Sequence, residues 1–380
     1  MNILLVGEYS RLHNSLKEGL EVLGHKAVII GTGDYFKNYP VDIKLQRRFE
    51  KGFIKKIRVA LFKVFHVDIS SINMKRQVFK HKKSLIGYNV VQLINESPFN
   101  IQPKEEKEIF SFIKDNNKTC YLLCCGADHI SVKYAHDRKF RYSILTPFLT
   151  GKVSKKVFEP VLKYLQEPFR QLHRYVHNTI QGVIASDMDY HLPMLGHDNY
   201  LGMIPNPINV DKINYIPLNV TDKIIIFHGI NRHNYLKKGN DIFDEALKTI
   251  SKKFGDKVEI IRTESLPYNE YIKIYDACHI LLDQVYAYDQ GYNALEAMAK
   301  GKVVFTGAEQ EWLDHYNLEA DTVAINALPD AEKIAEKLEW LILNPEKIIE
   351  ISKNARAFIE REHHYVKIAE RYLEVWNENS

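Results

Sequence analysis

The chain is an alternation of short β-rich runs and helical patterns, and it carries two such series in tandem. The first begins with NILLV at Asn2 to Val6 and an amphipathic stretch through Leu16, Leu20 and Leu23. It continues with Ala27 to Ile30, Asn89 to Leu93, Cys120 to Cys125, Gly182 to Ala185 and Leu201 to Ile204. The second starts at KIIIF, Lys223 to Phe227, and continues with Val258 to Ile261, His279 to Leu282, Val303 to Phe305 and Thr322 to Ile325. Helical segments Asp241 to Phe254, Tyr268 to Ala277, Asn293 to Lys300 and Asp330 to Leu343 separate its runs. Alternation of this kind builds parallel sheets, because a strand must cross over through a helix before it can pair in parallel again. Pro205-Asn206-Pro207 and the polar loop to Asp222 divide the two series, since a residue before proline is driven out of the helical region. The expected fold class is α/β, with two Rossmann-like doubly wound domains facing a central cleft. Its expected boundaries are an N-terminal domain at 1–205, a hinge at 206–222, a C-terminal domain at 223–360 and a terminal helix at 361–380 that packs back on the N-terminal domain.

The 380 residues exceed what one hydrophobic core usually serves, which agrees with two domains. A hydrophobic content of 45% beside 26% charged residues excludes a disordered or fibrous chain. Cys120, Cys124, Cys125 and Cys278 show neither a C-x-x-C pair nor metal-ligand spacing, so a reducing cytoplasm is the expected setting. The opening MNILLVGEYS reads as a strand rather than a secretory leader, and no apolar run reaches the ~18 residues needed to span a bilayer.

The net charge of +4 hides an uneven distribution: thirteen Lys or Arg stand against two acidic residues between Lys44 and Lys83. Within that stretch Phe53, Ile54, Ile57, Leu61, Phe62, Val64 and Phe65 recur at helical spacing beside Lys51, Lys55, Lys56, Arg58 and Lys63. Such a helix suits the interface of an anionic membrane. Residues 44–83 are therefore expected to bind the cytoplasmic face of a membrane peripherally, although calmodulin-like partners or nucleic acid use similar patterns. Nucleic acid is not the expected partner.

The segment DQVYAYDQGYNALEAMAKGKVVFTG, Asp283 to Gly307, reads as a strand end, a loop at Gly291, a helix opening near Asn293, and a second strand after Gly301, with Tyr292 and Asn293 as donor-binding candidates. Gly291 lets backbone approach a ligand, and the amides at a helix start offer an anion site for a diphosphate. Glu296 on that helix is placed to accept hydrogen bonds from ribose hydroxyls. A second segment runs from Phe227-His228-Gly229-Ile230-Asn231-Arg232 through Lys237-Lys238-Gly239. Cations converging on the mouth of a parallel sheet would neutralise a departing diphosphate, so Arg232 and Lys238 are candidate catalytic residues, with Lys237 as an alternative to Lys238.

These segments resemble the large family 4 of retaining glycosyltransferases, which has the two-domain GT-B fold. The family's donor signature is E-G-F-G-x-x-x-L-E-A-M-A-x-G-x-P-V. Gly291, Leu295, Glu296, Ala297, Met298, Ala299, Gly301 and Val304 match it in register, whereas Tyr288 stands where the first Glu belongs and Val303 where the Pro belongs. The Gly229 to Gly239 segment is similar to the family's G-R-x-x-x-x-K-G loop, and Ile204-Pro205-Asn206-Pro207-Ile208-Asn209-Val210-Asp211 to its I-P-N-G-V-D turn. The resemblance implies that Glu296 binds the nucleotide ribose and that the sugar contact usual at position 288 falls to Tyr288, Asp283 or Asp289. The expected reaction moves a sugar from a nucleoside-diphosphate sugar, with UDP expected over GDP, to a glycan or lipid-linked acceptor in cell-surface polysaccharide synthesis. It is expected to retain configuration and to need neither metal nor other cofactor. The C-terminal domain would bind the donor and the N-terminal domain the acceptor.

In the N-terminal half, Gly7-Glu8-Tyr9-Ser10 follows the first strand, where this fold approaches donor phosphates or acceptor. Gly7 is a donor candidate, and Tyr9 and His13 are acceptor candidates. Asn95-Glu96 and Gly126-Ala127-Asp128-His129 follow two further strands at the same edge. Glu96 is an acceptor candidate, and Asp128 either deprotonates the acceptor hydroxyl or caps the next helix. Asp187-Met188-Asp189 spells a metal-binding D-x-D but stands inside a doubly wound domain, and Gly31-Thr32-Gly33 lacks the third glycine of a dinucleotide fingerprint. Neither is expected to bind its ligand. Two rival functions fit the same architecture: a sugar-nucleotide 2-epimerase, and a non-catalytic nucleotide-binding scaffold to which the Tyr288 departure points.

Overall fold

The computed structural model describes residues 1–34, 37–220, 222–266 and 268–380. Seven strands form the first sheet: β1 Asn2–Val6, β2 Lys26–Gly31, β3 Ile43–Lys44, β4 Val90–Leu93, β5 Thr119–Cys124, β6 Gly182–Ala185 and β7 Tyr200–Met203. Their spatial order is β3-β2-β1-β4-β5-β6-β7. Five strands form the second: β8 Ile224–Ile230, β9 Val258–Glu264, β10 Ile280–Leu282, β11 Val303–Thr306 and β12 Ile325–Asn326, in the order β12-β11-β10-β8-β9. Every pairing in both sheets is parallel. Central strands such as VVQL of β4 and VVFT of β11 are buried at every position, as expected for strands covered by helices on both faces.

Beyond shifts of one to three residues at strand ends, two strands differ from the sequence reading. Ile43–Lys44 pairs with Ile30 and Gly31 over only two residues, too few to show any periodicity. The expected Thr322 to Ile325 shifts to Ile325–Asn326, because the residues before it form a turn in which the Thr322 hydroxyl donates to the Glu319 carbonyl.

Strand order reverses between β1 and β4 in one sheet and between β8 and β10 in the other. At such a reversal the crossovers leave on opposite faces, and the carboxyl ends of the strands open into a crevice. The loops after β1, β4, β8 and β10 therefore hold most of the candidate site residues.

The chain after Pro345 is helical but breaks at His363. Helix Pro345–Glu362 buries Ile348, Ile351, Ala355, Phe358 and Ile359 in the core around the second sheet. Helix Tyr365–Glu378 buries Ile368, Ala369, Tyr372 and Trp376 in a cluster with Leu5, Leu16 and Tyr121 of the first. At the crossing, the Ile208 amide donates to the His363 carbonyl at 2.7 Å and the Tyr365 amide to the Ile208 carbonyl at 3.1 Å. The helix lies close against Leu12–Val22: a Cβ at Gly19 would stand 2.3 Å from the Tyr365 carbonyl oxygen.

The basic stretch forms two helices of different character. Ile69–Lys80 buries Met74 and Val78 against the first sheet, whereas Gly52–Phe65 buries no residue. Phe53, Val64 and Phe65 of the latter are about two-thirds exposed or more, at 74, 67 and 66%.

Candidate active site

The reversal point of the second sheet gathers a polar cluster. Gly239 ends the loop after β8 at φ 70°, where a side chain would collide with Val285, and the turn carries Lys238 toward the end of β10. There the Lys238 ammonium donates to Asp283 Oδ1 at 2.8 Å, and the Asn293 amide donates to the same oxygen at 2.9 Å. Asn293 is fixed in turn by the Tyr271 hydroxyl on its side-chain oxygen at 3.0 Å and the Tyr275 hydroxyl on its carbonyl at 2.7 Å. The other oxygen of Asp283 is buried without a partner among the described residues. Gly229 lies under this cluster because a Cβ there would stand 2.6 Å from the Tyr271 ring.

Helix Tyr292–Ala299 starts from Gly291, whose φ of −81° is open to any residue. A side chain at Gly291 would meet only the Gln284 amide at 3.9 Å, so the space in front of the helix start is free of protein. The Glu296 carboxylate makes no hydrogen bond among the described residues, and burial raises its pKa above the usual range against the pull of Arg11, Lys300 and Lys37. Arg11 and Lys37 belong to the opposite wall of the cleft. They are cations that the sequence reading missed, although Arg11 directly follows the Gly7 to Ser10 loop.

The remaining candidates are dispersed. Arg232 lies on an exposed rim, its guanidinium bonded to Glu264 at 2.6 Å, and does not join Lys238. Lys237 lays its ammonium 5.5 Å from the centre of the Phe158 ring, and burial lowers its pKa. Tyr292 donates to the Pro207 carbonyl at 3.0 Å and packs against both cores, which makes it a bridge between domains. Tyr288 is buried against Phe140 and Tyr142, its hydroxyl accepting from the Arg141 amide at 2.8 Å.

On the N-terminal wall, Gly7 has φ 90° and its absent Cβ would lie 2.3 Å from Ile94, so β4 packing and the turn require the glycine. His13 is fully buried and holds the Gly7 carbonyl through Nδ1 at 2.7 Å; burial pushes its pKa down to about 4, which keeps the ring neutral. The neighbouring Glu8 is pushed up to about 8 by burial and accepts from both nitrogens of Asn14. Tyr9 donates to the Ser97 carbonyl at 3.3 Å. Asp128 caps helix His129–His136, with Oδ1 accepting from the amide and the hydroxyl of Ser131 at 2.7 Å each. Glu96 accepts from His173 at 2.5 Å with His177 3.2 Å away; burial opposes its ionisation, but the imidazoles prevail and hold it down to about 2.

The D-x-D segment ties the two domains together. Asp189 accepts from the Tyr288 amide at 3.1 Å, and Asp289 accepts in the opposite direction from the Met188 amide at 3.1 Å. Beside this reciprocal pair is a cavity of about 220 Å³ lined by Asp187, Asp189, Asp289, Gln290 and the apolar side chains Phe140 and Leu145. Burial, and for Asp189 the charge of Asp289, push Asp189 up to about 7 and Asp289 to about 6. A carboxyl raised on folding stabilises below its ordinary pKa and loses that contribution as pH rises through the folded value. Thermal melts from pH 4 to pH 8 are therefore expected to fall for the native protein. Asp189→Asn should gain several degrees at pH 8 and almost nothing at pH 4. Parallel profiles for the two proteins would refute the assignment.

This architecture, with two parallel sheets and a terminal helix crossing back, is the GT-B fold of glycosyltransferases. Residues 238–374 match the family model described as glycosyl transferase-like. Among curated proteins none matches the chain. Among solved structures, sucrose-phosphate synthase from Thermosynechococcus elongatus is 15% identical over 100% of this chain and 98% of its own, with a TM-score of 0.61. HepE from Anabaena, in complex with UDP and glucose, is 13% identical over 100% of both chains with a TM-score of 0.59. WaaG, described as a glycosyltransferase involved in lipopolysaccharide biosynthesis, is 13% identical over 99% of both chains with a TM-score of 0.54.

Proposed function

We propose that the protein moves a sugar from a nucleoside-diphosphate sugar to a hydroxyl of a glycan or lipid-linked acceptor, with the donor bound mainly by residues 223–360. The observation that supports this most is the meeting of Lys238, Asp283 and Asn293 at the reversal point of the second sheet, with Glu296 three residues after Asn293 on the same helix. In this reading the Glu296 carboxylate accepts from the ribose hydroxyls, and the amides after Gly291 face the diphosphate. As the bond from the anomeric carbon to phosphate oxygen breaks, Lys238 takes up the negative charge. Arg232, held on the rim by Glu264, contributes less. The acceptor oxygen bonds to the anomeric carbon with retained configuration, and its proton leaves with the nucleoside diphosphate.

UDP is the favoured leaving group, in keeping with the UDP named in the Anabaena complex. A thermal-shift panel of nucleoside diphosphates tests the reading: UDP at 100 times its Kd stabilises by about 2.7 kcal/mol. The expected result is a shift of several degrees with UDP, a smaller one with GDP and release of UDP from a UDP-sugar when acceptor is added. Absence of any shift with every nucleotide would overturn it.

The acceptor is taken to be membrane-bound because helix Gly52–Phe65 exposes Phe53, Ile54, Val64 and Phe65 beside Lys55, Lys56 and Lys63 with no residue buried. Each cation near an anionic surface contributes about 1 kcal/mol. A polymer of the cell surface is the matching product, as WaaG's description also suggests. Among the described residues no helix is long and apolar enough to cross a membrane, so attachment is peripheral. The protein is expected to sediment with vesicles containing anionic lipid at low salt. Phe53→Glu with Phe65→Glu should abolish this without changing the melting temperature, and equal sedimentation of the variant would remove the membrane from the proposal.

A further inference from the structure

Helix Glu167–His177 places His173 and His177 four residues apart on one face, over the carboxyl end of β4 where Glu96 stands. One ligand atom from each of these three side chains lies within 4.8 Å of the other two. The carboxylate of Glu96 is the hub: Oε1 is 2.5 Å from His173 Nδ1 and 3.2 Å from His177 Nε2. His177 Nε2 is buried and has no aligned hydrogen-bond partner among the described residues, so it points into the cluster unsatisfied. The ring centres of the two histidines are 4.1 Å apart. Asp128 places a second buried carboxyl near enough to Glu96 to feel its charge, so the cluster gathers two carboxyls for which no Lys or Arg among the described residues is an ion-pair partner. His173 also lines a groove that opens to solvent past Lys133 and Arg170, which gives an ion an entry path.

We infer that Glu96, His173 and His177 form a binding site for a divalent transition-metal ion of the zinc class, joining the end of β4 to helix Glu167–His177. Two imidazoles at i, i+4 helical spacing joined by one carboxylate from another element suit zinc, whose bonds to nitrogen and oxygen are about 2.0–2.2 Å, and disfavour Mg²⁺ or Ca²⁺, which take oxygen ligands. A slight opening of the Glu96–His173 contact makes room for the ion. The fourth position is left to water. This inference is independent of the donor site and extends the sequence expectation, which gave Glu96 to the acceptor and assigned no metal.

The test uses the full chain stripped with EDTA, titrated with Co²⁺ by absorption spectroscopy and with Zn²⁺ against a chromophoric chelator. One equivalent is expected to bind, with the ligand-field spectrum of imidazole coordination, and Zn²⁺ is expected to raise the melting temperature. His173→Gln with His177→Gln should weaken binding by more than about 100-fold, the upper end of the loss from an outer-shell partner alone. His129→Gln, beside the cluster but with its Nδ1 bonded to the Tyr164 carbonyl, should leave binding unchanged. If the double variant does not fold, His177→Ala alone is read in the same titration and should still lose the Co²⁺ spectrum. No stoichiometric binding by the native chain, or equal binding by the variants, would overturn the inference.

Discussion

Lys238→Gln is expected to lower kcat by about 10²- to 10³-fold with little change in donor KM, the loss typical of removing one group that stabilises charge developing in the transition state. The free protein already holds this ammonium 2.8 Å from Asp283, itself bonded to Asn293, so the charge is positioned before donor arrives. Glu296→Gln is the complementary experiment. Its carboxylate has no hydrogen-bond partner among the described residues, and burial disfavours its charge, so the amide should fold at least as well. Losing a charged hydrogen bond to a ribose hydroxyl costs about 1.5–3 kcal/mol, which corresponds to a donor KM raised by about 10- to 150-fold. Steady-state kinetics separates the two roles. Equal effects of both substitutions on kcat alone would place Glu296 in the chemistry rather than in binding.

The second large effect concerns stability. Trp376 is fully buried on the N-terminal domain, donates through Nε1 to Gln92 at 3.1 Å and packs at 5.4 Å from Tyr372. Trp376→Ala is expected to cost about 3–5 kcal/mol in urea denaturation, by lost burial and the cavity left behind. It also strands the buried Gln92 side chain without its donor, which adds to the cost. Trp376→Phe should recover most of the packing and none of the hydrogen bond. A loss below about 1 kcal/mol for the alanine variant would mean that the terminal helix is not held by this contact.

Much of the fold was legible because its signals are local. Asn2–Val6 and Gly182–Ala185 match the expected strands residue for residue, since a parallel strand covered on both faces carries a run of apolar residues, here Ile3–Val6 and Val183–Ala185. The Tyr268–Ala277 helix does so as well. The two-residue strand at Ile43 was invisible because its ladder depends on Ile30 and Gly31, which are distant in the chain. Helix Gly52–Phe65 was legible in its pattern, yet its lack of any buried residue is a fact about what fails to cover it.

The candidate site divides in the same way. Residue type and spacing placed Lys238, Asp283, Asn293 and Glu296 near one sheet edge, and the structure brings the first three into hydrogen-bond contact. Arg232 and Lys237 carry the same charge a few residues away, but β8 runs on to Ile230 and turns Arg232 outward to Glu264. Asp128 met the Ser131 amide and hydroxyl as a helix cap, a local partnership the sequence allowed as one of two.

By itself the sequence determined the two parallel sheets and the chemical types gathered at their carboxyl edges, because apolar periodicity and turn residues act over a few positions at a time. Only the tertiary structure decided which charges meet. The Asp189 and Asp289 exchange between domains, the approach of Arg11 to Glu296, and the joining of Glu96 to two histidines some 80 residues further on all depend on strand order and helix docking. Such pairings are set by which elements pack together, and no local pattern of residues encodes them.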